Sequence, residues 1–430
     1  MNIIQLAWRN IVKNPLNLLL SIILFGLGVG LISFLLLFNV QLKEKFDKNL
    51  AGIDLVIGAK GSPLQMILCS MYHIDNPTGN LPIKNVTPLL RETHPLIKKA
   101  IPLSLGDNYK SYRIVGTNHD LVTLYGGKLS VGNLWTKDYE VTIGKAVADD
   151  TGLKVGDEFV SSHGFVEDDD LAHDHVGFTV KGILEGTGSV LDQLILTNTA
   201  TIWNVHEHQA EMADTSDHPD SDHEDQHIPD NSGHLHDNSN IDLLNHADKE
   251  ITSVLIQYKN RTNFQALNFG RNINENTEMQ AASPAIEINR LYNMIGVGTD
   301  ALRSLAILIA VVSALSIFIS LYKSMKERKY ELALIRVMGA SRTKVFSLIV
   351  LEGLILAFIG FLTGTILCHL GMEIISTYLK ADFRYSFTGW RFLPEEWVVL
   401  VVSLLLGFIA AIIPAIQAAG TDINKTLSVK

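Results

Sequence analysis

The stretch KSMKERKYELALIRVMGASRTK, residues 323–344, decides the fold. It carries Lys323, Lys326, Arg328, Lys329, Arg336, Arg342 and Lys344, and an apolar run lies on either side of it, Leu302–Tyr322 before and Val345–Ile375 after. A run of about 20 mostly apolar residues is long enough to cross the hydrocarbon core as a helix. A short connection so rich in Lys and Arg is retained on the cytoplasmic side of a membrane. The stretch therefore reads as a cytoplasmic loop between two spanning helices.

Working outward, two more runs have the same character, Leu16–Val40 and Trp397–Ile416. A cleaved signal peptide is the competing reading of the first. The run is longer than a signal h-region, and no A-x-A-like site follows it. Four spans with a cytoplasmic loop between the second and third place both termini in the cytoplasm, and Arg9 and Lys13 agree with that orientation. The expected fold class is a membrane α-helical protein with an α+β extracytoplasmic domain, two-lobed, inserted between helices 1 and 2. The expected boundaries are a surface helix (1–15), a first span (16–40), an outer domain with helical stalks (41–298) and a second span (299–322). A coupling loop (323–344), a third span (345–375), a short outer loop (376–396), a fourth span (397–416) and a tail (417–430) complete it.

Composition agrees with this division. The chain of 430 residues is 47% hydrophobic and 19% charged, with a mean hydropathy of +0.20. That is too apolar for an ordinary soluble enzyme and too polar for a chain lying wholly in a bilayer. The formal net charge of −10 argues against nucleic acid as a partner, because phosphate binding needs a basic surface. Two cysteines, Cys69 in the polar domain and Cys368 in an apolar run, give no disulfide framework.

At the N-terminus Ile3, Ile4, Ala7, Trp8, Ile11 and Val12 recur at helical spacing, with Gln5, Arg9 and Asn10 between them. This pattern describes an amphipathic helix lying on the membrane surface, and Pro15 marks the turn into the first span. In the outer domain Asp54–Ile57, Tyr112–Gly116, Glu140–Ile143, Phe178–Leu184 and Val254–Tyr258 read as short strands, and Lys145–Thr151 as a helix stopped by Gly152. Lys43–Leu50 and Asn289–Asp300 read as helical stalks. From His206 to His246 the chain has His208, His218, His223, His227, His234 and His236 among many Asp and Glu, and no Lys or Arg occurs between Lys181 and Lys249. Such a segment cannot bury a core and is expected to be a disordered insertion.

The loop KERKYELALIRVMGAS (residues 326–341), followed by Leu351-Glu352-Gly353, resembles the signature of the MacB–FtsX–LolC permeases of ABC transporters. Ala7-Trp8-Arg9-Asn10-Ile11 with Lys13-Asn14-Pro15 resembles the family's N-terminal surface helix, and Pro414 to Ala419 resembles its C-terminal end. Gly144 to Asp157 is similar to a segment of its MacB-like periplasmic domain. Two positions depart from the pattern: Ala333 where Gly is usual, and Ile423 where Pro often follows Asp422.

Read by itself, Glu327–Met338 is a charged helical segment stopped by Gly339. One reading is a basic loop that only fixes topology; the other is a coupling helix that docks an ATPase subunit. On the second, the coupling residues are Glu327, Arg328, Glu331, Arg336, Gly339, Ala340 and Ser341, with Glu331 and Arg336 as contacts. Glu352 falls inside the third span, where a carboxylate is costly and marks either a functional group or a side chain paired with a basic neighbour. Gly26–Gly30 and Gly360–Gly364 are spaced for close helix packing, and such pairs can serve dimerisation.

No G-x-x-x-x-G-K-[ST] loop, H-E-x-x-H or G-x-S-x-G motif occurs, so no catalytic function is expected. The resemblance implies a homodimer, or a pair of permeases, in the bacterial inner membrane that works with a separate ATPase binding ATP and magnesium, and with a periplasmic or outer-membrane partner. Three functions fit: a permease that exports or extracts a substrate by mechanotransmission, an FtsX-type scaffold that activates a periplasmic hydrolase, or a metal-linked transporter or sensor. For the last, His163, His173, His175, His206, His208, His218, His223, His227, His234 and His236 are candidate ligands for zinc, copper or nickel.

Overall fold

A computed structural model describes residues 3–13, 15–162, 172–205, 240–383 and 387–421. They divide into two compact units, one formed by residues 1–43 with 293–430 and the other by residues 44–292.

The first helix, α1 (Ile3–Val12), is amphipathic in the way its spacing demands. Ala7 and Ile11 are buried, while Ile4, Trp8 and Val12 form an exposed apolar row one turn apart. Pro15 opens α2 (Pro15–Leu50), where a missing N–H costs nothing. Between Leu50 and the next long helix come β1 (Leu55–Ala59), α3 (Pro63–Tyr72), β2 (Leu81–Pro82), α4 (Ile83–Leu90), β3 (Ile97–Tyr109), β4 (Tyr112–Gly116), α5 (Asp120–Leu124), β5 (Leu129–Gly132), β6 (Glu140–Ile143) and α6 (Lys145–Thr151). They are followed by β7 (Glu158–Ser162), β8 (Ala172–Leu184), β9 (Leu194–Thr197), α7 (199–205), α8 (Asn240–Leu244), β10 (Glu250–Ile251), β11 (Ser253–Tyr258), α9 (Phe264–Asn276) and β12 (Met279–Ala282). The chain ends in α10 (Pro284–Glu327), α11 (Lys329–Val337), α12 (Arg342–Phe383) and α13 (Glu396–Ala419). Among these, α2, α10, α12 and α13 are long and apolar enough to cross a membrane.

In the unit of residues 44–292 a mixed sheet has the strand order β12-β1-β11-β3-β4-β9-β6-β8-β5, with β7 paired to β3 and β8. Two hydrophobic clusters lie along it. Leu55, Ile57, Val254 and Ile256 pack with Ile83 and Leu90, whereas Ile114, Val141, Ile143, Phe178 and Ile195 pack together further along the sheet. Residues 240–246 correct the expectation of disorder out to His246. Asn240–Leu244 is helical, Leu243 is buried, and Asn240 Nδ2 donates to the Ala100 carbonyl at 2.8 Å. One apolar side chain and one satisfied amide are enough to fold this turn onto the core.

In the other unit the helices approach closely at glycines. A Cβ on Gly364 would lie 2.7 Å from the Gly26 carbonyl, and one on Gly30 3.0 Å from the Gly364 carbonyl. The small-residue pairs noted above as suited to dimerisation thus face each other within one chain, joining α2 to α12. A second correction concerns residues 376–396, expected as a loop: α12 continues to Phe383, and Gln41 exchanges hydrogen bonds with Thr388 at 2.8 and 2.9 Å. Cys69 and Cys368 are buried free thiols.

Candidate functional site

The α10–α12 connection is built around Arg328. The long helix α10 stops at Glu327 because Arg328 leaves helical geometry (φ −104°, ψ 17°), and α11 restarts at once at Lys329. The side chain of Arg328 is 5% exposed and lies between two carboxylates. Its Nη1 donates to Glu352 Oε1 at 3.2 Å, and its Nε donates to Glu331 Oε2 at 3.4 Å. Both carboxylates have a second partner near the N-terminus, one on α1 and one in the turn that follows it. Asn10 Nδ2 donates to Glu352 Oε1 at 2.7 Å, and Lys13 Nζ donates to Glu331 Oε1 at 2.9 Å. Five side chains thus connect α1, α11 and α12.

The two ends of this chain differ in kind. Glu352 is 2% exposed within the third span, and its charge is met by the Arg328 guanidinium. Glu331 and Lys13 are about half exposed, so their attraction is screened by water and worth roughly 0–1 kcal/mol. The Lys13 hydrogen bond holds the Glu331 carboxyl below its ordinary range; slight burial opposes this and Arg328 adds to it.

Arg336 turns the other way. Its Nη1 donates to the Thr421 carbonyl at 2.5 Å and reaches the Ala419 carbonyl at 3.5 Å. These groups follow the last turn of α13, where a helix leaves carbonyls without intrahelical partners and a cation is favoured. The end of α11 is a Schellman turn: Gly339 N–H bonds the Arg336 carbonyl at 3.1 Å and Ala340 N–H the Ile335 carbonyl at 3.2 Å. Gly339 has φ +99°, which L side chains rarely adopt. It stands one position beyond Met338, the C-cap residue, rather than at the cap itself. Ser341 Oγ then accepts the Lys344 N–H at 3.3 Å and so caps α12.

Leu332 and Ala333 fix the inner face of α11. Both are 1% exposed, and Leu332 packs in a cluster with Ala7, Leu348 and Ala415. The outer face is also apolar. Tyr330, Leu334, Val337 and Met338 are 58%, 44%, 58% and 72% exposed, and their spacing of i, i+4, i+7 and i+8 places them on one stripe.

The structure brings Arg328, Glu331 and Glu352 together, sets Arg336 against the end of α13, and uses Gly339, Ala340 and Ser341 as the turn into α12. Glu327 is the exposed last residue of α10. Sequence reading assigned no polar contact to Asn10 or Lys13, and it overlooked the apolar stripe. The stripe could have been found from its spacing. The Lys13–Glu331 and Asn10–Glu352 contacts join residues 318 and 342 positions apart, which leaves no local signal. Of the candidate metal ligands, His163, His206, His208, His218, His223, His227, His234 and His236 lie outside the described residues. His173 and His175 have their backbone in β8, and their side chains also lie outside the described set. Among the described residues no group of three His, Cys, Asp or Glu side chains is placed to hold a metal ion.

Four membrane-length helices and a separate α+β unit define a multi-pass membrane protein with a large polar domain. Residues 303–423, from α10 through the connection to the end of α13, match the family described as FtsX-like permease C-terminal. That match supports a permease-type membrane component, a class that works with ABC ATPases. No curated protein matches the chain.

Proposed function

We propose that this protein is the permease subunit of an ABC transporter, and that α11 is the helix on which a separate cytoplasmic ATPase docks. The observation that carries the reading is the exposed stripe Tyr330–Leu334–Val337–Met338 on a short helix held on its other sides. A soluble partner recognises an amphipathic helix by receiving such i, i+4, i+7 anchors in a groove. The polar chain through Arg328 and the Arg336 contacts fix the stripe's direction, so Glu331 and Arg336 act as positioning residues and the apolar side chains make the contact.

On this reading the protein lies in the bacterial inner membrane with both termini cytoplasmic. Two copies assemble with two ATPase subunits, and the two-lobed MacB-like domain lies outside. ATP-driven closure of the ATPases moves α11, and with it α10 and α12, and the outer domain uses that motion to export or extract its substrate. This chain hydrolyses nothing itself.

The test is co-purification of the full chain with its ATPase, comparing wild type with Leu334→Glu/Val337→Glu. The account expects the double variant to fold and insert but to lose the ATPase. Retention of the ATPase at wild-type stoichiometry would refute docking through the stripe.

A further inference from the structure

A small cavity of about 20 Å³ lies against Glu352, lined by residues of α1, α2, α10 and α12. Its polar lining is Asn10, Ser320, Ser324 and Glu352, and the rest is Ile and Leu. Three of the polar groups around it are short of partners. Glu352 Oε1 accepts from Arg328 Nη1 at 3.2 Å and from Asn10 Nδ2 at 2.7 Å. Glu352 Oε2 accepts from no described residue, although the side chain is 2% exposed and a carboxylate oxygen can accept about two hydrogen bonds. Ser320 and Ser324 stand one turn apart on α10, and among the described residues neither hydroxyl has a partner. Serine in a helix can return its proton to the carbonyl four residues back, as Ser313 does to Ile309 at 2.6 Å and Ser304 to Asp300 at 2.9 Å. Ser320 and Ser324 do not.

A cavity holds a water when its volume exceeds about 10–15 Å³ and a few polar groups face it. This one meets both conditions. We infer that it is the binding site of one ordered water, which donates to Glu352 Oε2 and accepts from a serine hydroxyl of α10. A sodium ion suits the oxygen ligands but not the charge. Arg328 already faces Glu352 as its counter-ion, so a second cation would be uncompensated in a buried site. An apolar guest would leave Glu352 Oε2 and both hydroxyls unpaired, each carrying the cost of a desolvated polar group.

The site has a structural consequence. The polar contacts through Arg328 tie α11 to α12, and Asn10 and Lys13 tie both to the N-terminal segment. The water adds α10 to this set through Ser320 or Ser324. A bridging water makes hydrogen bonds nearly as good as direct ones. Held by no covalent link, it also follows a shift of α10 against α12 without stripping the buried carboxylate oxygen of its partner.

The test is a density map of the full chain in lipid nanodiscs, made rigid by a bound antibody fragment, at a resolution that shows ordered water. Wild type should show one peak within hydrogen-bond distance of Glu352 Oε2 and of the Ser320 or Ser324 hydroxyl. Its height should stay the same when sodium in the buffer is replaced by rubidium. Ser324→Val removes a hydroxyl and puts a methyl into the cavity, so it should abolish the peak. Ser304→Val is the control, since Ser304 lies outside the lining and its hydroxyl bonds within its own helix, and it should leave the peak in place. Three results would overturn the inference: no peak in wild type, a peak that changes with the ion, which marks a cation, or a peak unaltered by Ser324→Val. The first two need only the wild-type chain, so they decide the matter even if the valine variant does not fold.

Discussion

Replacing Arg328 with Met removes the positive partner of a carboxylate that is 2% exposed and lies within a span. The Met stem fills much of the same volume, so the lost interaction is chiefly the 3.2 Å contact with Glu352. Among the described residues Glu352 then keeps the Asn10 amide at 2.7 Å. Removing one member of a buried ion pair typically costs about 3–5 kcal/mol, because the other charge is left uncompensated. The accompanying loss of the 3.4 Å contact to half-exposed Glu331 adds well under about 1 kcal/mol. The expected destabilisation of Arg328→Met is thus about 3–5 kcal/mol. Replacing both partners, Arg328→Met with Glu352→Leu, removes the charges together and leaves the Asn10 amide short of an acceptor, at about 1–3 kcal/mol. The double variant should therefore be more stable than Arg328→Met alone by about 2 kcal/mol, and because Glu352→Leu alone leaves Arg328 only the half-exposed Glu331, the two single losses together should exceed that of the double by about 3 kcal/mol or more. Equilibrium unfolding of the four proteins in mixed micelles, followed by tryptophan fluorescence, measures the cycle. Additive effects, with a coupling below about 0.5 kcal/mol, would refute the account of Arg328 as a buried charge partner.

Gly339→Ala should destabilise the α11 end by about 1–2 kcal/mol, through left-handed backbone strain alone, since a Cβ there meets nothing within 4 Å; Gly339→Asn should cost less in the same thermal unfolding assay. Gly364→Ala, whose Cβ would lie 2.7 Å from the Gly26 carbonyl, should lower stability by about 1–3 kcal/mol, whereas Gly371→Ala, with open space around it, should be close to neutral. His73 carries a pH dependence: burial, with the Arg113 charge adding, pushes its pKa down to about 3. The unfolded chain then binds more protons than the folded one between about pH 3 and pH 6.5, so stability is complete above about 6.5 and falls as the pH drops through that window. His73→Asn tolerates the left-handed backbone at φ 52° and should flatten this acid limb in unfolding curves taken from pH 7 to pH 4; an unchanged limb contradicts the assignment.

The parts of the fold that follow from local physics were legible in the sequence. Apolar runs of membrane length gave the four helices, the spacing of Ala7 and Ile11 gave α1, and glycine punctuation gave α6, which spans Lys145–Thr151. Tyr112–Gly116 and Glu140–Ile143 form strands at the residues their composition indicates. The thirteen-residue strand β3 was not legible, because Pro102 and Gly106 interrupt its pattern and its pairing with β11 comes from more than a hundred residues downstream. The same limit hid half of the candidate site. Glu352 stood out as a carboxylate in an apolar run, and Gly339 as a helix stop, but Glu352 and Glu331 take partners, Asn10 and Lys13, that the chain brings from its first turns. Arg336, expected as an ATPase contact, also donates to the carbonyls of Ala419 and Thr421, a pairing with residues 83 and 85 positions on that no local pattern signals.

The most direct test of the account is photo-crosslinking from the stripe in the assembled complex. A photoreactive phenylalanine analogue placed at Met338 should capture the ATPase, and one at Leu367, which is 50% exposed on α12, should not. Capture from Met338 alone, in a complex that hydrolyses ATP, is the predicted result. An ATP-hydrolysing complex with no capture from Met338, or with equal capture from both positions, would contradict docking through α11.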